Sequence, residues 1–243
     1  MPLLPTPPRQ ERDEWIDSVE PSERDFAASF ADIARINRFL GGTRAVLGAL
    51  TPLIKTLPTP SNRPVRILDL ATGSADIPRA LVRAARRGRF QGRLLHVTAT
   101  DNHPKVLAIA RRASEGYPEI TVEAADVFRL PYPDNAFDIA LCSLAFHHWG
   151  APACVRVLRE MDRISAHGFV VNDLVRDRVA TGLIFALTRL ARMNRLTRHD
   201  GPLSVLRAYT LPEYAQMVRD AGIPCCDVHR VPLYRAVIVR RKN

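Results

Sequence analysis

Apolar residues recur at helical spacing near the start of the chain, with polar residues on the opposite side. The positions are Phe26, Phe30, Ile33, Ile36 and Leu40, followed by Val46, Leu47, Leu50 and Ile54. This spacing predicts two amphipathic helices that are joined at the glycines of "GGT". The Pro-rich and charged residues 1–24 that precede them are expected to form a flexible arm.

From residue 65 onward, buried-strand patterns alternate with helical patterns. The strand-like segments are "VRILDL", "LLHVTATD", "ITVEAAD", "FDIALCSLAF" and "HGFVVNDL", and the helical ones are "ADIPRALVRAARR", "HPKVLAIARRASE" and "PACVRVLREMDRI". Such alternation predicts right-handed crossovers and a mostly parallel sheet. The last two strands, "CCDVHRV" and "YRAVIVRRK", are close together and predict an antiparallel hairpin at one edge. The predicted class is an open α/β fold with seven strands and helices on both faces.

Two helical regions lie outside this alternation. They are the pair of helices within residues 25–60 and the helix predicted over "TGLIFALTRLARM", which belongs to an insertion at about 176–210 in a core of residues 61–243. Because their apolar faces need a surface to pack against, we expect both regions to form an apolar lid over a ligand site. A further helix is predicted over "LPEYAQMVRDAG".

Composition narrows the class of protein. With 47% apolar and 25% charged residues the chain is typical of soluble globular proteins, and no apolar stretch is long enough to span a bilayer. The N-terminus does not match a secretory signal, and Cys142, Cys154, Cys225 and Cys226 form no CxxC pair. We therefore expect a cytoplasmic protein with neither disulfides nor a required metal.

The net charge of +10 comes from 32 Arg and three Lys that are spread along the chain. The Arg clusters contain few aromatic residues and match no nucleic-acid-binding signature, so no DNA partner is expected. Solvated helix faces are the favoured interpretation, with an anionic membrane surface or an acidic partner left open for "TRLARMNRLTR".

The first turn, "DLATGSAD", lies where open α/β sheets bind cofactors. It lacks the Lys followed by Ser or Thr that a P-loop requires. Of the three glycines in a dinucleotide-binding turn it contains only Gly73. Asp69 and Asp76 would repel a pyrophosphate but suit the ammonium group of S-adenosylmethionine. Asp101, at the end of the second strand, can accept hydrogen bonds from both ribose hydroxyls, although capping of the next helix is an alternative. Asp126, after the third strand, can bind the adenine amino group.

These segments resemble a known protein family. Residues 26–173 resemble class I S-adenosylmethionine-dependent methyltransferases of the methyltransferase type 11 kind, and within them they are similar to the ubiquinone/menaquinone biosynthesis methyltransferases. The matching segments are "DLATGSADIP", "ATDNHPKVLAIAR", "DVFRLPYPDNAFD" and "FADIARINRFLGGTRAVL", with Ala75 where a Gly is usual. The segment after the fifth strand departs from that family and looks like bacterial methyltransferases associated with aromatic polyketide pathways. The resemblance implies a Rossmann-like fold.

The resemblance also implies positions for the cofactor. The methionine end of S-adenosylmethionine, and of its product S-adenosylhomocysteine, is expected near Ala71 and Gly73, and its ribose on Asp101. The adenine is expected between Asn102 and the pair Asp126–Val127, and Ser143 beneath the sulfonium. Arg44 is proposed to bind the methionine carboxylate, with a solvated helix position as the alternative.

Methyl transfer to a phenol benefits from a general base, for which His is well suited. His147 and His148 follow the fourth strand, and His199 is adjacent to Asp200. These three histidines are the candidate catalytic residues, with structural roles left open for each.

The resulting expectation is a methyltransferase that acts on the oxygen of a small, hydrophobic phenol or quinol. Carbon methylation of a quinone precursor, RNA methylation, and cofactor binding without catalysis stay open. A small-molecule acceptor is the expected partner, and a homodimer is compatible with the sequence.

Overall fold

The computed structural model describes residues 5–18, 21–58 and 63–242. Its strands are β1 (Val65–Leu70), β2 (Leu95–Asp101), β3 (Ile120–Ala124), β4 (Ile139–Ser143), β5 (Gly168–Leu174), β6 (Cys226–Val231) and β7 (Arg235–Arg241). They form one seven-stranded sheet in the order β3-β2-β1-β4-β5-β7-β6. The first five strands pair in parallel, and β7 pairs antiparallel with both β5 and β6. The predicted Rossmann-like fold with its antiparallel edge is confirmed.

The order of strands reverses between β1 and β4. Moving outward from β1 the chain continues to β2 and β3, whereas β4 begins the other half of the sheet. In open α/β sheets, ligands bind beyond the carboxyl ends of the strands at such a switch point. The turns that follow β1 and β4 therefore define where a site should lie.

Helices cover both faces of the sheet and its carboxyl end. Their bounds are α1 (Trp15–Ser18), α2 (Glu23–Phe39), α3 (Gly42–Thr56), α4 (Asp76–Arg86), α5 (Pro104–Ala113), α6 (Ala151–Ile164), α7 (Arg178–Leu190), α8 (Arg195–Arg207) and α9 (Leu211–Ala221). One core lies between the sheet and α3 and α4, and the other between the sheet and α6 and α9. No helix among the described residues is long and apolar enough to cross a bilayer.

The two N-terminal helices have different roles, although the sequence predicted one role for both. Helix α3 packs its apolar face on β5 and β7, where Val46 and Leu50 are completely buried with Val170. Helix α2 instead lies over the carboxyl end of the sheet. The expectation that all of residues 25–60 cap the site is therefore corrected, because α3 completes the core.

Residues 5–18 are bound to the core, unlike the flexible arm predicted for residues 1–24. Arg9 donates hydrogen bonds to the carbonyls of Arg207 and Trp149 at 2.7 and 3.0 Å. Arg176 donates to the carbonyl of Pro7 at 2.9 Å. Residues 1–4, 19 and 20 lie outside the described part of the chain.

The inserted segment forms two helices rather than one. Asp177 caps α7 by accepting from the backbone N–H groups of Val179 and Ala180, and α7 then packs against α8. The "HDGP" motif, whose Asp-Gly-Pro run is typical of turns, lies inside α8, since Pro202 and its neighbours continue the helix. Tertiary packing overrides the turn preference of this motif here.

Candidate active site

A cavity of about 850 Å³ opens at the switch point. Its floor consists of the turns after β1, β2 and β4, and its walls consist of α2, α7 and α8 together with the segment around α1. Most side chains on α2 and α7 that face it are apolar. The lining groups from these two helices include Phe26, Phe30, Ile33, Ile36, Leu183, Ile184 and Leu187. The lid predicted from residues Thr181–Met193 thus has a structural counterpart in α7.

The turn after β1 brings backbone close to the cavity. Ala71, Gly73 and Ala75 all have positive φ, at 51°, 56° and 56°. A Cβ atom on Gly73 would lie 2.9 Å from the Phe30 ring, so a larger residue would force that ring of α2 to shift. The Thr72 N–H donates to the Thr100 carbonyl at 2.8 Å and ties the turn to β2. The turn is therefore a shaped cradle covered by α2.

Three carboxyl groups converge on this turn. Burial raises the pKa of Asp69 to about 8, even though Thr72 Oγ1 donates to its carboxylate at 2.6 Å. Burial also raises the pKa of Asp101, whose two oxygens accept from the N–H groups of Gly73 and His103, each at 3.1 Å. Burial likewise raises the pKa of Asp76. A cationic ligand would relieve the cost of ionising these groups, whereas a pyrophosphate would increase it.

A buried Arg lies beside the same turn. Arg235, from the start of β7, is 1% exposed and lines the cavity. Its Nη2 donates to Asn37 Oδ1 at 3.3 Å, and Asn37 Nδ2 donates to Asp76 at 3.1 Å. Gly42 permits this arrangement, because a Cβ there would lie 2.5 Å from Asn37 Oδ1.

Arg235 has unused donors. Among the described residues, neither its Nε nor its Nη1 has a hydrogen-bond partner. Burial lowers the pKa of Arg235 to about 10, which still leaves it protonated at neutral pH. The turn thus offers a cation and several carboxyl groups side by side.

The far end of the cavity is polar and centres on a 3₁₀ turn, Phe146–His148, directly after β4. Phe146 anchors this turn in the core, which fixes the two histidines. His147 is 3% exposed, and its Nδ1 lies 2.7 Å from Asp173 Oδ1. The other Asp173 oxygen accepts from the His147 N–H at 3.2 Å. Although burial acts in the opposite direction, the His147 imidazole lowers the pKa of Asp173.

His148 has a matching arrangement on the other side. Its Nδ1 lies 2.7 Å from Asp17 Oδ2, at the end of α1. Glu14, 3% exposed, lies between the two imidazoles, with carboxylate oxygens 3.7 Å from His147 Nε2 and 4.0 Å from His148 Nε2. Burial lowers the pKa of His148, but Glu14 and Asp17 outweigh it and raise the pKa to about 9.

His199 is not brought to the cavity. Its ring stacks on Trp15 with centroids 3.9 Å apart, and its Nδ1 lies 2.7 Å from Asp200. Asp200 in turn accepts from the N–H groups of Trp15 and Ile16 at 2.8 and 3.1 Å. The sequence placed His199 among the catalytic candidates, whereas the structure places it where it holds α1 on α8.

Comparisons with known proteins agree with this geometry. A family described as "Methyltransferase domain" matches residues 67–168. Demethylmenaquinone methyltransferase of Deinococcus radiodurans is 31% identical over 176 residues, which are 67% of this chain and 69% of the relative. The chain belongs to the class I S-adenosylmethionine-dependent methyltransferases.

Two further comparisons bear on this methyltransferase. The ubiquinone/menaquinone biosynthesis C-methyltransferase UbiE of Bdellovibrio bacteriovorus is 32% identical over 66% of this chain and 63% of the relative, so the match spans less than two thirds of that protein. The structure of human N-acetylserotonin methyltransferase in complex with S-adenosylmethionine superposes with a TM-score of 0.66. It covers 95% of this chain and 60% of the human chain at 18% identity, which establishes the fold.

The methyltransferase uses S-adenosylmethionine, and the residues of the first turn fit it. The cofactor's amino-acid end carries both an ammonium and a carboxylate, which suit the Asp69 and Asp76 carboxyl groups and the unused donors of Arg235. Asp101, Asn102, Val127 and Ser143 also line the cavity. Ser143 Oγ accepts from Asn172 at 2.8 Å.

Two of the sequence-predicted cofactor residues do not line the cavity of the methyltransferase. Arg44 is exposed on α3, so the structure does not bring it to the cofactor turn. Asp126 is exposed, and its carboxylate accepts from the Phe128 N–H at 2.9 Å. Its role towards adenine stays a prediction.

The sequence reading missed the residues of the methyltransferase that complete the two ends of the cavity. They are Glu14, Asp17, Asn37, Asp173 and Arg235. Asp173 had a signal, since it lies near the end of β5 beside the switch point. Glu14, Asp17 and Arg235 had none, because only the fold brings the arm and the edge strand to the site.

The same missing information applies to possible metal ligands. The spacing of Cys and His offered no ligand set, and no metal was expected. The structure nevertheless groups Glu14, His147 and His148 so that one ligand atom from each lies within 4.8 Å of the others.

Proposed function

We propose that this methyltransferase transfers a methyl group to a small, hydrophobic, hydroxylated aromatic molecule, with the phenol or quinol oxygen as the acceptor atom. The observation that carries the proposal is one continuous cavity with two different ends. One end is the acidic cofactor turn, and the other is the group formed by the buried Glu14 and His147 and the partly buried His148, with apolar walls between them.

The apolar walls support a lipophilic acceptor. The volume of about 850 Å³ lies at the upper end of the range for small-molecule pockets, as a site shared by cofactor and acceptor requires. Ile184 and Leu187 of α7 line the cavity together with apolar residues of α2, so an aromatic ring would be held among apolar side chains. A strongly polar acceptor would lose its hydration there without compensation.

The polar end supports a hydroxyl group on that acceptor. S-adenosylmethionine supplies an activated methyl group, so the chain's residues mainly position the acceptor, exclude water and accept its proton. Asp173 is placed to accept from His147 Nδ1–H, which leaves Nε2 as a proton acceptor on the side of the cavity. His147 would then take the proton of the hydroxyl group as the oxygen attacks the methyl carbon.

Carbon methylation is the second candidate, and the named relatives favour it. They include a demethylmenaquinone methyltransferase and a ubiquinone/menaquinone biosynthesis C-methyltransferase. Loss of the same hydroxyl proton places negative charge on ring carbons as well as on the oxygen, so the polar end would serve either outcome.

Product analysis separates the two outcomes. The purified protein would be incubated with S-adenosylmethionine carrying a ¹³C-labelled methyl group and a panel of phenols and quinols. Oxygen-bound and carbon-bound methyl groups have well separated ¹³C chemical shifts. We expect the oxygen-bound signal. A carbon-bound signal would replace the first candidate with the second, and transfer to none of the panel would contradict both.

The remaining expectations stay predictions. They are the cytoplasmic location, the homodimer, the absence of a DNA partner, and the preference for a small molecule over RNA. Inclusion of tRNA in the same assay tests the last of these.

A further inference from the structure

The polar end of the cavity has the geometry of a metal-binding site. Glu14, from the arm, and His147 and His148, after β4, meet with one ligand atom each within 4.8 Å of the others. The two Nε2 atoms face the two oxygens of a single carboxylate, at 3.7 and 4.0 Å. These separations are too long for hydrogen bonds.

The Nδ1 atom of each histidine lies beside a carboxylate, as it usually does in metal-bound histidines. His147 Nδ1 lies 2.7 Å from Asp173, and His148 Nδ1 lies 2.7 Å from Asp17. A carboxylate that accepts Nδ1–H orients the ring, and Nε2 can bind an ion once the ion has displaced any proton on that atom. Two histidines in succession each have such a partner, and both Nε2 atoms point to the same carboxylate.

The size of the gap fits a first-row transition metal. With metal–ligand bonds of about 2.0 to 2.2 Å, ligand atoms around a tetrahedral ion lie about 3.3 Å apart. The two separations between Glu14 and the imidazoles would need to shorten by roughly half an ångström. The longest separation in the group, at most 4.8 Å, would need to shorten by up to about 1.5 Å through side-chain rotation. Imidazole nitrogen and carboxylate oxygen together suit zinc, iron or manganese rather than calcium or magnesium.

The charges around the cluster also favour a cation. Three carboxylates, Asp17, Glu14 and Asp173, surround the two imidazoles. The Arg207 guanidinium has its Nε 4.0 Å from Glu14, but its Nε and Nη2 donate to the carbonyls of His147 and His148 at 3.2 and 2.8 Å. Those bonds bind α8 to the 3₁₀ turn and stabilise the positions of both histidines.

We infer that Glu14, His147 and His148 bind one divalent transition-metal ion, such as zinc, with an open coordination position on the side of the cavity. All three residues line that cavity, so the open position faces the space where the acceptor lies. An ion there would bind the acceptor's hydroxyl oxygen and lower its pKa, so that the proton passes to solvent water instead of to His147 Nε2, which the ion occupies. This role rests on the proposed function, whereas binding of the ion does not.

The test uses the full-length, tag-free protein after treatment with a chelator. Zinc is titrated by calorimetry, and cobalt is titrated by its visible absorption, which reports nitrogen and oxygen ligands. We expect one ion per chain. Glu14→Gln and His148→Ala should abolish binding, and Asp17→Asn should weaken it about 10- to 100-fold, as loss of an outer partner does.

His229→Ala provides the matched control. His229 also lies beside a carboxylate, with Nδ1 3.0 Å from Asp227, but on the sheet edge and away from the cavity. This variant should bind zinc like the wild type. Melting temperature and binding of S-adenosylhomocysteine establish that each variant is folded.

Two results would overturn the inference. One is no zinc or cobalt binding by the folded wild type, and the other is binding that Glu14→Gln and His148→Ala leave unchanged. Because no acceptor is present, the titration is independent of the proposed function. A bound ion without methylation of any phenol or quinol would contradict that function alone.

Discussion

At the scale of single residues, Arg235 is a buried guanidinium whose Nε and Nη1 have no partner among the described residues. Replacement by Gln should weaken binding of S-adenosylhomocysteine about 10- to 100-fold, because charge-assisted hydrogen bonds are each worth about 1.5 to 3 kcal/mol. Arg44→Gln, on the exposed face of α3, should leave the affinity unchanged. Calorimetry on both variants checks this, with melting temperature as the measure of folding. If Arg44→Gln weakened binding and Arg235→Gln did not, Arg44 would be the ligand of the methionine carboxylate instead.

A second prediction at the residue scale is that the buried Asp69 carboxyl group makes the stability of the fold depend on pH. Burial raises its pKa from the ordinary value of 3.8 to about 8 in the folded protein, so the folded state holds the proton more tightly than the unfolded state. Raising the pH from about 4 to 8 therefore favours the unfolded chain, and the destabilisation levels off above the folded pKa. In the cofactor-free protein, the melting temperature of wild type should fall relative to that of Asp69→Asn across this window. A constant difference would show that Asp69 is ionised in the folded state.

At the scale of elements, we propose that α2 and α7 select the acceptor by covering the cavity. Leu187, which lines the cavity on α7, should matter more than Phe185, which is 49% exposed with the Arg189 guanidinium over its ring. Leu187→Ala should raise the Michaelis constant for an apolar acceptor about tenfold, since a few methylenes of contact are worth about 1 to 3 kcal/mol. Phe185→Ala should change it little, and both variants should keep their affinity for the cofactor. Equal effects of the two changes, or a loss of melting temperature without a change in the Michaelis constant, would contradict a lid.

A helix or strand could be predicted where the hydrophobic periodicity of its own segment determines its structure. The alternation of "VRILDL" with "ADIPRALVRAARR" predicts β1 and α4, because burial on one or both faces is expressed in each segment's own periodicity. The same periodicity could not separate α2 from α3, since both are amphipathic and only the sheet determines which of them it covers. Helix α8 was missed because "HDGP" has strong local turn chemistry that packing against α7 overrides.

At the scale of the whole molecule, the site is assembled from distant parts of the chain. Glu14 comes from the arm, the histidines from the turn after β4, and Arg235 from the sheet edge, and Arg9 and Arg176 hold the arm in place. The cofactor turn follows the first strand, so Asp69, Gly73 and Asp101 could be predicted from sequence order alone. The acceptor end could be predicted only in part, because the partners of His147 and His148 are contributed by other segments.

The most direct test of the central claim compares two acceptors of matched size. One is an aromatic molecule with a phenolic or quinol hydroxyl, and the other is the same molecule with that hydroxyl replaced by hydrogen. Transfer of labelled methyl from S-adenosylmethionine should occur only to the hydroxylated molecule, because we propose that the group formed by Glu14, His147 and His148 acts on that hydroxyl. Equal transfer to both molecules, or transfer to tRNA or a fatty acid but not to the hydroxylated aromatic, would contradict the assignment of this cavity.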